Sequence, residues 1–437
     1  MMTYLIISLG CSKNLVDSER FHAILRSYGL QAAEEESEAD IYLVNTCAFL
    51  NASFAELDDT LCDILSLTKG RKRKLIVTGC VMNRGLEEFK EMFPEVNVWI
   101  GLKDFGAFEK YLLRYVLPQG TPTKQLDYSL RKALQEEQFV YLRISDGCEN
   151  NCSYCMIPSI RGKLVSEPIE TLVQEAKQLS KKAYELVVIA QDSCLYGTDL
   201  YGEKALPRLL KALLDNTDFP WIRVMYMHPD HFELSWLELW QQNPRLLPYF
   251  EIPVQQVSET IIKAMNRQKS YAELKELFLS IKQALPEAVF RTTFMVGYPG
   301  EKPQDRKLIR EFLAETGILM GGVFGYSPEK EGTPYNPPES YNWKAVEKLE
   351  RELAFHISKR KGDLLQSYVG TLQPALIEGY SEVMNAYVGR LWFQAPEIDG
   401  IVYIEHNPNI KHPLVQVEIT DALADELWAV WKPLKLL

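Results

Sequence analysis

With 437 residues the chain is too long for one ordinary domain and has room for two or three, each with its own core. Its hydrophobic share of 46% and charged share of 24% are those of an ordinary globular protein, which excludes a disordered or fibrous chain. A formal net charge of -11 works against a protein whose main task is to grip a phosphate backbone and favours a basic or protein partner.

The longest apolar stretches, such as residues 4–9 and 186–190, fall far short of the roughly 20 residues that span a bilayer. Leu9-Gly10-Cys11 superficially resembles a lipoprotein cleavage site, but no basic leader precedes it. A cytoplasmic location is expected, and there the eight cysteines would stay reduced and be more apt to bind metal than to form disulfides.

In chain order, three apolar runs come first, at 4–11, 41–47 and 75–80, and each closes on a cysteine: Cys11, Cys47 and Cys80. Helical spacing at 18–28 and 54–67 separates them, so residues 1–120 read as an open, doubly wound α/β domain. Ligands of such sheets bind beyond the carboxyl ends of the strands. The three thiols therefore either converge at one edge or are small buried hydrophobes closing their strands.

A polar stretch with Pro and Gly at 118–138 reads as a linker, with residues 121–138 joining two domains. Strand-like runs then recur at 139–145, 185–190, 221–227, 249–254, 289–296 and 321–326, separated by amphipathic segments at 169–181, 206–214, 258–285 and 304–316. Six β/α units with right-handed crossovers form most of an open barrel over 139–366, with its active site at the carboxyl ends of the strands and a long helix at 344–366 leading out. From 367 to 437 short alternating runs at 373–377, 386–393, 400–405 and 414–419 indicate a small all-β domain, read as a five-stranded barrel.

The strongest chemical signal is Cys148-Glu-Asn-Asn-Cys152-Ser-Tyr-Cys155, just after the first barrel strand. Three thiolates so spaced wrap a [4Fe-4S] cluster and leave one iron open to chelate S-adenosylmethionine. Closed structural zinc needs a fourth ligand, and no further Cys or His stands nearby. A ferredoxin-like carrier would supply four cysteines per cluster.

The Cys-x3-Cys-x2-Cys spacing with Tyr154 resembles the radical S-adenosylmethionine superfamily. Ser8-Leu-Gly-Cys-Ser-Lys-Asn-Leu-Val-Asp-Ser-Glu19, Asn45-Thr-Cys47, Thr78-Gly-Cys80 and Cys155-Met-Ile-Pro-Ser-Ile-Arg-Gly162 resemble its methylthiotransferases. The end of the chain is similar to their TRAM module through Gly389-Arg390 and Ala395-Pro-Glu-Ile-Asp-Gly400. The resemblance implies that Cys11, Cys47 and Cys80 hold a second [4Fe-4S] cluster that presents sulfur. It also implies replacement of an unactivated C–H hydrogen by S–CH3, with S-adenosylmethionine as both radical source and methyl donor, no acid–base dyad, and an electron donor such as flavodoxin or ferredoxin. Phe290 to Glu301 resembles the strand and glycine turn beside S-adenosylmethionine, where Gly297 would let the backbone approach the ligand closely, and Gln255 and Arg291, near strand ends, are candidate contacts to its polar groups.

Other residues attract blander expectations. Cys62 and Cys194 read as packing residues, His228 and His231 as loop residues with a structural role, and the basic run 71–74 as a solvated helix end.

The family divides chiefly between tRNA adenosine modification and methylthiolation of an aspartate, at its β-carbon, on protein twelve of the small ribosomal subunit. From Thr371 onward nine acids stand against four bases, a charge suited to a basic ribosomal protein, free or on the ribosome, more than to tRNA. The opening motif, Ile157-Pro-Ser-Ile-Arg-Gly-Lys163 and Ala190-Gln-Asp192 also resemble the ribosomal-protein branch. Ser12-Lys13 stands where that branch usually has Pro-Lys, and Gln255-Gln256 where it has Gln-His. The tRNA enzyme remains the alternative, with a non-catalytic ribosome-binding module behind it.

Overall fold

A computed structural model describes residues 2–50, 52–127, 131–134, 138–181, 183–328 and 342–433. Three sheets carry the architecture, and each turns its apolar residues to a layer that covers them.

The first is a parallel sheet of β1 (Thr3–Ser8), β2 (Gln31–Ala32), β3 (Ile41–Thr46), β4 (Lys74–Gly79) and β5 (Val98–Trp99), in the order β2-β1-β3-β4-β5. The central strand β3 is buried at every residue, as a strand covered on both faces must be. Helices α2 (Ala52–Leu67) and α3 (Leu86–Met92) press Leu57, Leu61 and Phe89 onto one face. Helices α1 (Ser12–Ser27) and α4 (Phe105–Tyr115) press Phe21, Leu25 and Phe108 onto the other. The winding reverses between β1 and β3, and a switch point of that kind leaves a crevice beyond the strand ends.

The second sheet holds β6 (Phe139–Arg143), β9 (Glu185–Ile189), β10 (Trp221–Val224), β11 (Leu246–Glu251), β12 (Val289–Val296) and β13 (Met320–Gly325), all parallel, in the order β13-β12-β11-β10-β9-β6. Its end strands β13 and β6 do not pair, so the barrel is open. A ribbon of β7 (Ser145–Asp146) and β8 (Val165–Ser166) and the short α5 (Ile157–Arg161) intervene after β6. The outer face is covered by α6 (Ile169–Leu179), α7 (Thr198–Tyr201), α8 (Leu206–Asn216), α9 (Leu237–Gln242), α10 (Glu259–Ala264), α11 (Tyr271–Ala284) and α12 (Pro303–Thr316). In α11 the buried Leu274, Leu277, Phe278 and Ile281 recur at the spacing that puts them on one helical stripe.

Helix α13 (Trp343–Leu365) leads to a closed barrel of β14 (Leu372–Ser381), β15 (Ala386–Leu391), β16 (Ile401–Glu405), β17 (Leu414–Ala422) and β18 (Glu426–Trp431), ordered β14-β15-β16-β18-β17. The fifth strand, β18, has no counterpart among the four runs read from the sequence. This barrel and Val16 of α1 pack against the inner face of the open sheet, in one core with Tyr141, Val187, Trp221 and Tyr249.

Polar contacts reinforce that docking. Glu185, fully buried, takes Arg223 at 2.6 Å and Arg390 at 2.7 Å, and Asp399 takes Tyr249 and Arg291 at 2.5 Å each.

Three expectations change. The segment 258–285 is two helices, because Asn266 at φ 57 turns the chain and Ser270 starts α11 with a capping box to Glu273. In the stretch read as a linker, Arg131 is pinned between Glu19 at 2.7 Å and Glu175 at 2.6 Å, so that part of it is a strut between the two α/β sheets. Cys62 is exposed on α2 and packs into no core, whereas Cys194 is buried.

Candidate active site: two cysteine triads on one cavity

The carboxyl ends of β1, β3 and β4 are held together by the polar residues of the motifs around them. Asn14, at the start of α1, donates to Leu9 O at 2.9 Å and Thr46 O at 2.8 Å. Asn45 donates to Asn14 O at 2.8 Å and Ser18 Oγ at 2.9 Å, while Thr46 Oγ1 donates to Thr78 O at 2.8 Å. The cysteines that follow the strands, Cys47 and Cys80 directly and Cys11 three residues on, are thereby drawn to one point. Cys11 Sγ and Cys80 Sγ lie 4.0 and 3.9 Å from the same atom, Asn14 Oδ1. Gly10, at φ 92, lets the chain turn beside Cys47; a Cβ there would sit 2.7 Å from Cys47 Cβ.

The second triad lies on the loop after β7. Gly147, at φ 73, passes so close to the Lys163 carbonyl that any side chain would collide with it, and Cys148 N donates to Gly162 O at 3.1 Å. Ser153 N donates to Met265 O at 3.2 Å, and Asn266 Nδ2 to Asn151 O at 2.8 Å, so the loop is fastened to the turn after α10.

Arg161 couples the two sets. It donates to Asn14 Oδ1 and, at 3.0 Å, to Asp146, and lies 3.7 Å from Asp17. Asp17 also meets Arg143 at 2.7 Å. Burial alone would raise the Asp146 carboxyl, but the charges of Arg143, Arg161 and Lys103 outweigh it and hold Asp146 well below the usual range.

All six cysteines line one cavity of about 550 Å3. Phe49, Leu50, Ile157, Ile160 and Phe324 supply much of its apolar wall, and its polar lining includes Lys13, Asn150, Gln191, Tyr226, His228, Glu251, Gln255, Arg267 and Thr293. Burial pushes the thiols of Cys80 and Cys155 up to about 12 and that of Cys148 up to about 11, so without metal they are protonated at neutral pH. Thiols gathered in threes and facing free volume become, on deprotonation, the donor set of a soft-metal cluster. The same cavity fits a polar organic ligand, because Gln191 Oε1 and His228 Nε2 are buried there without a hydrogen-bond partner. Burial, helped by the Arg267 charge, pushes His228 down to about 3, which keeps its imidazole neutral.

Of the three candidate ligand contacts, Gln255 lines the cavity in a left-handed conformation at φ 68. Arg291 does not: its guanidinium turns away to Asp399 of the closed barrel, and correction of that assignment follows from the strength of this buried pair. Gly297 is not part of the lining, and its amide donates to Glu301 at 2.5 Å. Glu301 also receives Gln256 Nε2 at 3.0 Å, so Gln256 is a fully buried structural residue here.

Residues 3–101 match the model of uncharacterized protein family UPF0004, residues 142–313 that of the radical SAM superfamily, and residues 369–431 that of the TRAM domain. The ribosomal protein uS12 methylthiotransferase RimO of Alkaliphilus oremlandii is 33% identical over 95% of this chain and 96% of its own. Those of Thermotoga maritima and Clostridioides difficile are each 35% identical, over 96% and 98% of this chain and 97% and 98% of theirs. The chain belongs to the ribosomal protein uS12 methylthiotransferase family.

Among solved structures, the radical S-adenosylmethionine methyltransferase TsrM from Kitasatospora setae, with cobalamin and a [4Fe-4S] cluster bound, superposes with a TM-score of 0.54 at 12% identity, covering 74% of each chain. The cobalamin-dependent radical enzyme OxsB gives 0.51 at 11% identity, over 82% of this chain and 56% of its own. These likenesses concern the fold alone.

For a methylthiotransferase of this family, Asn14 and Tyr226 are framework and cavity residues that sequence reading passed over, and His228, read as a structural loop residue, lines the cavity. Asn14 lay inside the quoted motif and could have been singled out as its only amide. Nothing in the local sequence marks Tyr226, whose φ of 60 is imposed by tertiary contacts: its amide donates to Glu251 at 2.9 Å and its carbonyl accepts from Ser193 N at 2.9 Å. His231, read as a loop residue, meets Asp192 at 2.7 Å, which also accepts from Asn150 Nδ2 at 2.8 Å.

Proposed function

We propose that this chain replaces a hydrogen on the β-carbon of an aspartate of ribosomal protein uS12 by a methylthio group. The observation that carries the proposal is the sharing of one cavity by two cysteine triads from two different sheets. The hydrogens on that carbon are too weakly acidic for a side-chain base to remove, and the cavity accordingly needs no acid–base dyad.

Cys148, Cys152 and Cys155 hold one [4Fe-4S] cluster, and Cys11, Cys47 and Cys80 hold the other. When bound, the clusters and S-adenosylmethionine supply the electron, the 5'-deoxyadenosyl radical, the sulfur and the methyl group. The protein's own part is positional. Gln191, His228 and Gln255 offer polar atoms to the amino-acid and ribose parts of S-adenosylmethionine. The apolar wall from Phe49 to Phe324 keeps water from the radical path. Arg161 and Asn14 fix the triads relative to each other.

Substrate choice rests in part on charge. Of the acids in the closed barrel, Glu378, Asp399, Glu418 and Asp425 are paired with Arg390, Arg291, Lys432 and Lys361. Glu382, Glu405, Asp421 and Glu426 are exposed and, among the described residues, have no cation paired to them, and offer the negative surface a basic ribosomal protein would meet. No helix among the described residues is long and apolar enough to cross a membrane. A cytoplasmic setting, with flavodoxin or ferredoxin as electron donor, suits thiols that must stay reduced.

The test is anaerobic reconstitution followed by incubation with S-adenosylmethionine, a reductant, and either uS12 or tRNA. About eight irons per chain and a methylthio mass gain on a uS12 aspartate are expected. Methylthiolation of tRNA alone would overturn the substrate, and about four irons would overturn the second cluster.

A further inference from the structure

The charged side chains lining the cavity are Lys13, Arg161, Glu251 and Arg267, and three of them are committed to protein partners. Arg161 is held by Asn14 and Asp146. Arg267 donates to Pro253 O at 2.6 Å and Val254 O at 3.0 Å. Glu251 accepts from Tyr226 N at 2.9 Å and lies 3.9 Å from Arg291.

Lys13 differs. Among the described residues its Nζ makes no ion pair within 4 Å and no hydrogen bond; it rests 3.0 Å above the centroid of the Tyr226 ring, and its charge is felt by the buried Glu251 carboxyl without a direct contact. The side chain is only 6% exposed, so bulk water does not solvate it fully. An ammonium group so placed is stabilised by the ring but keeps its donor hydrogens unspent.

The platform beneath it is strained on purpose. Tyr226 holds φ 60, a conformation costly for a bulky aromatic residue, and its amide and carbonyl are both tied down to keep it there. Lys13 itself stands in the first turn of α1, two residues after Cys11, and its carbonyl accepts from Arg143 of β6 at 3.2 Å. Its side chain therefore crosses from the first sheet into the mouth of the open barrel, where the two triads face each other.

We infer that Lys13 is the anchor for the substrate's carboxylate. An aspartate carboxylate paired with Nζ is one bond from its β-carbon, so anchoring the charge places the reacting C–H between the triads. In a cavity with largely apolar walls such a pair is strong and selective: it favours an acid over an amide of the same shape and over a neutral nucleobase. The inference rests on the proposed uS12 aspartate as substrate and adds the residue that recognises it.

The test is a cycle on the reconstituted holoenzyme, using Lys13→Met, Lys13→Arg and uS12 with its target aspartate changed to asparagine. Wild-type enzyme should bind native uS12 about 30-fold more tightly than the asparagine form, and Lys13→Met should bind both equally weakly. Lys13→Arg should recover part of the discrimination, and the iron content of each variant, measured alongside, reports whether its clusters are loaded. If Lys13→Met still prefers the acid, or loses iron because its charge serves a cluster, the inference is wrong. If wild-type enzyme leaves uS12 unmodified, the proposed substrate falls and takes the anchor with it.

Discussion

Each thiol of the two triads is one residue or one loop away from a device that fixes it, and the devices differ. Cys11 and Cys80 share Asn14, while Cys148 depends on the collision-limited turn at Gly147. The two triads should therefore fail separately. Cys80→Ala should lose about half the iron yet still cleave S-adenosylmethionine, whereas Cys148→Ala should lose the cleavage itself; iron analysis and chromatography of 5'-deoxyadenosine distinguish them. The raised thiols carry a second consequence. Because Cys80 and Cys155 stand near 12 and the ligand is the thiolate, loading releases protons, so iron uptake should strengthen as pH rises from 7 to 9. A pH-independent uptake curve under anaerobic titration would contradict the burial argument. At this scale the cysteines were legible because their spacing is local or falls at strand ends. Arg291 was misplaced because position along a strand does not say which end of the barrel a long side chain will favour, and Asp399 lies 108 residues away.

At the scale of elements, hydrophobic period located all six open-barrel strands and the central strands of the first sheet, since each is a short apolar run between polar helices. The period was less informative where two helices follow each other. Leu274, Leu277 and Ile281 continue the run of apolar residues begun by Ile261 and Ile262, and the turn at Asn266 and the cap at Ser270 separate the two helices. That cap is a local, testable contribution. Its hydroxyl accepts from Glu273 N at 3.3 Å while Glu273 accepts from Ser270 N at 2.8 Å. Ser270→Ala should cost about 1 kcal/mol, and faster amide exchange confined to the first turn of α11 would show it. The strand β18 escaped notice because Glu426 to Trp431 follows β17 after only three residues, pairing antiparallel with it and in parallel with β16.

At the scale of the molecule, the closed barrel is seated on the open one by charges that the sequence keeps far apart. Arg390 stands 205 residues from Glu185, and no spacing rule connects them. Glu185 is fully buried, and burial alone would discourage its ionisation; Arg223 and Arg390 outweigh that and hold its carboxyl below the ordinary 4.5. A carboxyl depressed in the fold contributes stability that is present above its unfolded value and is lost as pH falls through its folded one. Glu185 thus helps hold the two barrels together at neutral pH and weakens its hold below about 4.5. Glu185→Gln removes the anion and leaves two buried guanidinium groups facing each other, which should cost about 3–5 kcal/mol at pH 7. The loss should appear as faster hydrogen exchange in β14 to β18, with the first sheet unchanged. Acid should then narrow the gap between variant and parent, because protonation of Glu185 produces in the parent what the substitution has already done. A gap that stayed constant down to pH 3 would mean that apolar packing between Tyr141, Trp221 and the closed barrel, not the ion cluster, sets the strength of the seat.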